Sequence, residues 1–242
     1  GKAIAVVPLR PYMGGPLVDE RTARWGEDRM RAAGMEMFLE DTVEEVRDGT
    51  ALLKSGESWP FDLFVQAVGV VPSFPDVEGL EAGRGIRIGN DCSTSVEGIY
   101  AAGDCTETQP HESGEWRQTR IWLDCALQGK TAGRNMVEPG SAVLDSRPFY
   151  NASVLFDAFY SYIGEPNGED GNTFIWESSG GYRKLRIVNG KLAGALFLGN
   201  RRSAHAVLDA VGKEVPVHAD DLAAPDYRWN DLVSGSWTYH FF

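Results

Sequence analysis

Short apolar runs alternate with polar, glycine-marked turns along this chain, and their period changes from one stretch to the next. Lys2–Val7, "KAIAVV", is a continuous apolar run and predicts a buried strand. Arg10–Pro16 carries Pro and Gly-Gly and reads as a loop. Asp19 opens a helical pattern with acidic residues early and Gly34 as its stop. "MEMFLE" alternates, and Thr42–Gly56 predicts two strands around Asp48-Gly49, a hairpin signal. Trp59–Gly69 predicts a strand that ends on glycine. Val70–Gly85 is a Pro/Gly-rich crossing. Ile86–Asp104 predicts a short strand, a turn and a second strand that stops at Gly103-Asp104.

A helix is expected over roughly 119–137, with Gly129 and Gly133 four apart on one face, a spacing that permits close packing. Glu138–Pro148 reads as a linker. Beyond Pro148 the pattern becomes short strands with glycine turns, including Asn189-Gly190, a second hairpin signal. One amphipathic helix, Ser203–Val211, and an aromatic tail complete the chain. The tail reads either as an interface patch or as core for a small sheet domain. The first 145 or so residues are therefore expected to be α/β, and the remainder α+β with an antiparallel sheet.

Composition narrows the partners. The 242 residues carry 23 Lys+Arg against 35 Asp+Glu, a formal net charge of −12. Phosphate recognition needs clustered positive charge, so a nucleic-acid partner is not expected. An anionic membrane surface is disfavoured for the same reason, and no apolar run approaches the ~18 residues a membrane span needs. Cys92, Cys105 and Cys125 form no C-x-x-C pair, and an odd number makes a poor disulfide framework. A cytoplasmic location is the simplest expectation. His111, His205, His218 and His240 show no metal-ligand spacing, so no metal is expected.

The candidate chemistry lies at "GIYAAGDC". A carboxylate at the carboxyl edge of a sheet, beside a glycine, can accept hydrogen bonds from the hydroxyls of a sugar or polyol ligand. The N-terminus of the helix that follows would favour partial negative charge on a bound ring. The competing reading is that Asp104 only caps the next turn.

The wider pattern favours the ligand. Thr94–Asp104, "TSVEGIYAAGD", resembles the second flavin-binding motif of the FAD-dependent pyridine nucleotide-disulfide oxidoreductase superfamily. Asp62–Phe74, "DLFVQAVGVVPSF", resembles the motif that joins its NAD(P)H domain to its FAD domain. Ile121–Met136 resembles the helix whose N-terminal end faces the flavin. Residues after Arg147 resemble the C-terminal interface domain, most closely at "KLAGALFLGN". The branch suggested is the NADH oxidase and rubredoxin or nitrite reductase-like one.

The resemblance implies partial Rossmann-like nucleotide and FAD domains followed by an α+β interface domain. Its boundaries fall at 1–70 for the rear of the NAD(P)H-binding domain, 71–145 for the rear of the FAD-binding domain and 146–242 for the interface domain. Asp104 would bind the ribityl chain, with Gly103, Gly69, Ala126 and Leu127 beside the cofactor. Neither G-x-G-x-x-G fingerprint is present, so the chain reads as a fragment of a longer flavoprotein. The expected function is electron transfer from NAD(P)H through FAD to an acceptor, with an electron-carrier protein as a candidate partner. The chain alone is expected to bind FAD poorly and to be inactive. The alternative is a non-catalytic subunit or assembly module that has lost cofactor binding.

One departure concerns the nucleotide. The family's second nucleotide strand usually ends in a Glu, and Pro8 stands there, with Arg10 close by. Arg10 either contacts an NADP 2′-phosphate or is a solvated loop residue. Cys105 and His111 lie beside the flavin motif without a defined role. Incomplete sheets leave exposed edges, so a homo-oligomer, or completion by a missing N-terminal half, is expected.

Overall fold

The structure is a computed structural model that describes residues 2–13, 17–109, 115–118, 120–144, 147–155, 158–178, 181–199 and 204–217. His111, His218, His240 and the aromatic tail lie outside them. In chain order the elements are β1 (Ile4–Val6), α1 (Glu20–Ala32), β2 (Met35–Met37), β3 (Val43–Arg47), β4 (Thr50–Leu53), β5 (Ser58–Pro60), β6 (Ile86–Arg87), β7 (Thr106–Glu107), α2 (Trp122–Val137), β8 (Tyr150–Leu155), β9 (Ala158–Gly164), β10 (Asn172–Ser178), β11 (Gly181–Val188), β12 (Lys191–Gly199) and α3 (Ala204–Gly212). They form two compact units, Gly1–Phe64 with Arg147–Phe242, and Val65–Ser146.

The first unit is built on an antiparallel sheet of order β10-β11-β12-β9-β8. Strand alternation puts Leu185, Ile187, Ala195 and Phe197 on one face, where Ala204, Val207 and Ala210 of α3 complete the core. Tyr160, Tyr162, Tyr182, Leu196 and Leu198 form the opposite face, with Leu17, Val18 and Trp25 packed on it. Both predicted hairpins form. Asp48-Gly49 and Asn189-Gly190 all have positive φ, as a two-residue turn matched to strand twist requires.

α1 forms because Asp19 caps it, accepting from Thr22 N at 2.9 Å, and Gly34 follows it with φ +81°. The other Asp19 oxygen accepts from the Tyr182 hydroxyl at 2.7 Å and from Lys184 Nζ at 3.4 Å. Tyr160 donates to the Leu17 carbonyl, and Arg21 pairs with Glu177. One carboxylate thus caps the helix and fastens it to the sheet.

Several expectations need correction. β1 covers only Ile4–Val6 and is half exposed rather than buried, because among the described residues β2 is its sole partner, in a two-stranded parallel sheet. The strand expected over Trp59–Gly69 is only β5. Leu63, Val68 and Val71 beyond it are 79%, 83% and 91% exposed. An apolar run of that kind becomes a strand when neighbours cover both faces, and the described residues supply none.

In the second unit β6 and β7 pair in parallel, and Ile86, Ile88, Cys92 and Ala132 form the core. No strand runs into Asp104; only an isolated bridge, Ser93 to Tyr100, marks that stretch. α2 begins at Trp122, later than expected, and Thr119 is outside the described residues. Gly129 and Gly133 are exposed, and a Cβ at either would meet nothing within 4 Å, so no close packing on them is seen among the described residues. The buried face is instead Gln128, Thr131, Ala132 and Asn135. Asn135 reaches into the expected linker, donating to the Ala142 and Asp91 carbonyls at 2.7 and 2.8 Å and accepting from Ala142 N at 3.1 Å.

Burial works against ionised Asp19, but the bonds from Thr22 and Tyr182 and the charge of Lys184 outweigh it and lower its pKa from 3.8. The unfolded chain therefore takes up this proton first as the pH falls. Its stabilisation is complete above pH 3.8 and is lost as the pH drops through the lower folded value. Asp19→Asn, which keeps a good capping residue, should cost on the order of 1 kcal/mol at pH 7. Urea unfolding followed with pH should show that deficit shrinking below pH 3.8.

Candidate functional site

Gly69, Gly103, Asp104, Ala126 and Leu127, five of the six residues singled out from the sequence, lie on or near the first turns of α2. Gly103 has φ +96°, a conformation that L side chains rarely adopt. Its N–H donates to Gln128 Oε1 at 2.7 Å, and its carbonyl accepts from Thr106 N at 3.0 Å and from the Thr106 hydroxyl at 2.8 Å. The Thr106 hydroxyl also lies 3.0 Å from Gln128 Oε1. Residues 103–106 thus form a tight turn that is tied to α2 through a side chain only 3% exposed.

Asp104 sits in that turn with its carboxylate exposed rather than at a strand end. Its Oδ1 accepts from Cys125 Sγ at 3.1 Å. Burial, then Asp104 itself, push the Cys125 thiol up to about 11. Cys92 is fully buried and is likewise pushed up to about 11, first by burial.

α2 starts on Ile121, an N-cap in extended conformation whose side chain makes no capping bond. The first-turn N–H groups therefore lack the side-chain acceptor that Ser, Thr, Asn or Asp would provide. Arg120, just before the helix, donates to the Val70 carbonyl at 2.9 Å. That bond brings the Gly69–Val70 stretch, with Gly69 at φ +100°, to the entrance of α2. Ala126 is exposed and Leu127 half-buried on the helix itself. Arg10 belongs to the other unit, on an exposed loop after β1.

The arrangement suits an uncharged or anionic ligand with hydroxyl donors. It offers an exposed carboxylate acceptor, an uncapped helix start, and a turn held rigid from beneath. Sequence reading missed Gln128, Thr106, Cys125 and Arg120. The available signal was Gln128, a polar residue on the helix face that also carries Ala132.

Comparison with known families matches residues 1–122 to the pyridine nucleotide-disulphide oxidoreductases. The chain belongs to that family. Among its relatives, the assimilatory nitrate reductase electron transfer subunit of Bacillus subtilis is 26% identical over 207 residues, 81% of this chain and 26% of that protein. The rubredoxin-NAD(+) reductase of Acinetobacter baylyi is 29% identical over 143 residues, 54% of this chain and 36% of that one. A ferredoxin reductase from Rhodopseudomonas palustris shares the fold with a TM-score of 0.78 at 23% identity, covering 95% of this chain and 58% of its own. The chain spans half or less of the length of the curated relatives it matches. Among the described residues no helix is long and apolar enough to cross a membrane.

The Cys125–Asp104 bond sets a test. Asp104→Ala removes both the hydrogen bond and the negative charge by which Asp104 raises the thiol, while burial remains. Alkylation of Cys125 at pH 9, followed by peptide mass spectrometry to separate it from Cys92 and Cys105, should become severalfold faster in the variant. Gln128→Ala strands the Gly103 N–H and should cost about 1–3 kcal/mol in chemical denaturation.

Proposed function

We propose that this chain is part of a flavin-dependent oxidoreductase that passes electrons from NAD(P)H through FAD to an acceptor. The observation that carries the reading is the pairing of an exposed Asp104 carboxylate with the uncapped start of α2. Asp104 would accept from ribityl hydroxyls, and the α2 terminus would stabilise negative charge on the ring. Gly103 and Gly69 supply backbone without side chains beside them, and Ala126 and Leu127 flank them on the helix. When bound, the flavin supplies the redox chemistry; the protein contributes placement and electrostatics.

In this reading residues 1–70 are the rear of a Rossmann-like NAD(P)H domain, 71–145 the rear of the FAD domain and 146–242 the interface domain. The phosphate-binding glycine loops, which this sequence lacks, would have to be supplied by other polypeptide, and a homo-oligomer of this chain would not provide them. The exposed apolar residues Leu63, Val65, Val68, Val70 and Val71 support a missing neighbour, since an apolar run of this kind belongs between strands. The same exposure supports a second reading, a non-catalytic assembly module. The names of the two relatives support an electron-carrier protein or a reductase partner as acceptor.

An absorbance spectrum of the purified chain with added FAD tests the proposal. A bound flavin band near ~450 nm, weakened in Asp104→Ala, is expected if the site is complete. No band at high FAD, with the protein folded, would favour the assembly module.

A further inference from the structure

The three cysteines lie in the second unit, and of them Cys125 meets the candidate site. Cys92 is fully buried in the core, and Cys105 Sγ is turned to the Ala102 carbonyl at 3.5 Å. Cys125 stands on the first turns of α2, where its backbone N–H donates to the Ile121 carbonyl at 3.0 Å. Its thiol donates to Asp104 Oδ1 at 3.1 Å, across 21 residues of chain. Among the described residues no other group donates to the Asp104 carboxylate, and its Oδ2 accepts from none of them.

An exposed carboxylate in a turn samples several rotamers unless something holds one of its oxygens. The Cys125 thiol holds Oδ1 and leaves Oδ2 available. The backbone of the same turn is tied to α2 as well, through the bond from Gly103 N–H to Gln128 Oε1 at 2.7 Å. Two side chains three residues apart on α2 thus fix different things. Gln128 sets where the turn lies, and Cys125 sets where the carboxylate points. Burial, the bond to Asp104 and the charges of Asp104 and Asp124 push the thiol up to about 11, so at neutral pH it keeps its proton and remains a donor. A thiol is a weak donor. It aims the carboxylate without neutralising it, as a lysine or arginine would, so Oδ2 keeps its strength as an acceptor.

We propose that Cys125 is a positioning residue whose thiol fixes the Asp104 carboxylate so that Oδ2 meets a hydroxyl of a bound polyol chain, here the ribityl chain of a flavin. The inference rests on the flavin reading given above. A carboxylate already aimed loses less freedom when the ligand arrives, so the gain falls on the hydroxyl-bearing chain and not on the ring.

The test uses the whole chain and two probes titrated by flavin fluorescence. Riboflavin carries the ribityl chain, and lumiflavin has the same ring with a methyl group in its place. The wild type should bind riboflavin more tightly than lumiflavin, and Asp104→Ala should remove that difference. Cys125→Ala should weaken riboflavin about three- to tenfold and leave lumiflavin unchanged. A second readout needs no flavin. The infrared S–H stretch assigned to Cys125, by its loss in Cys125→Ala, should lie lower in the wild type than in Asp104→Ala, because hydrogen bonding weakens the S–H bond. Equal S–H frequencies in those two proteins would overturn the role of Cys125 and leave the flavin reading in place. So would a Cys125→Ala variant that binds riboflavin as the wild type does, or that loses both probes alike. If the wild type binds neither probe although the S–H shift is present, the bond stands as structure, and the ligand role of Cys125 falls together with the flavin reading.

Discussion

The second unit depends on one buried amide oxygen. Gln128 Oε1 takes the Gly103 N–H and lies within hydrogen-bond distance of the Thr106 hydroxyl. A buried N–H without an acceptor is unfavourable by a few kcal/mol, so the turn and the helix must keep their mutual placement. Asp104 inherits its position from that constraint, because it is the residue after Gly103 in the same turn. The Cys125 thiol, three residues before Gln128 on α2, then meets the Asp104 carboxylate. Arg120 extends the same fastening to Val70.

Buried or half-buried acids do the corresponding work in the first unit. Asp19 caps α1 and holds the sheet through Tyr182 and Lys184. Glu27 joins the same helix to the loop after β1. Both act over long sequence separations, and both lie on or beside one helix. α1 is therefore bonded at its start to the five-stranded sheet and at its middle to the β1 loop. Its own packing contribution, through Trp25 and the preceding Leu17 and Val18, lies against the tyrosine-rich face.

Legibility in the sequence followed the range of the forces involved. The hairpins at Asp48-Gly49 and Asn189-Gly190, the cap at Asp19 and the stop at Gly34 were all readable, because each is decided within a few residues. The antiparallel sheet beyond Pro148 was readable from alternation. The strand expected before Gly69 was not realised, since its apolar residues ask for neighbours that the described residues do not supply. Gly129 and Gly133 were misread because spacing shows that two residues share a face, but not which face is buried.

By itself, the sequence determined the local turns and caps, the change from α/β to antiparallel character, and the motifs that place the chain in its family. It also marked Gly103 and Asp104 as the centre of interest. Only the tertiary structure showed that Asp104 lies in a turn and not at a strand end, that Gln128 and Cys125 meet that turn, and that Glu27 holds the Arg10 loop. The physical reason is that these are hydrogen bonds between residues 14 to 25 positions apart. No local propensity encodes such a bond; it forms only once packing has brought donor and acceptor together in a place where water cannot replace either.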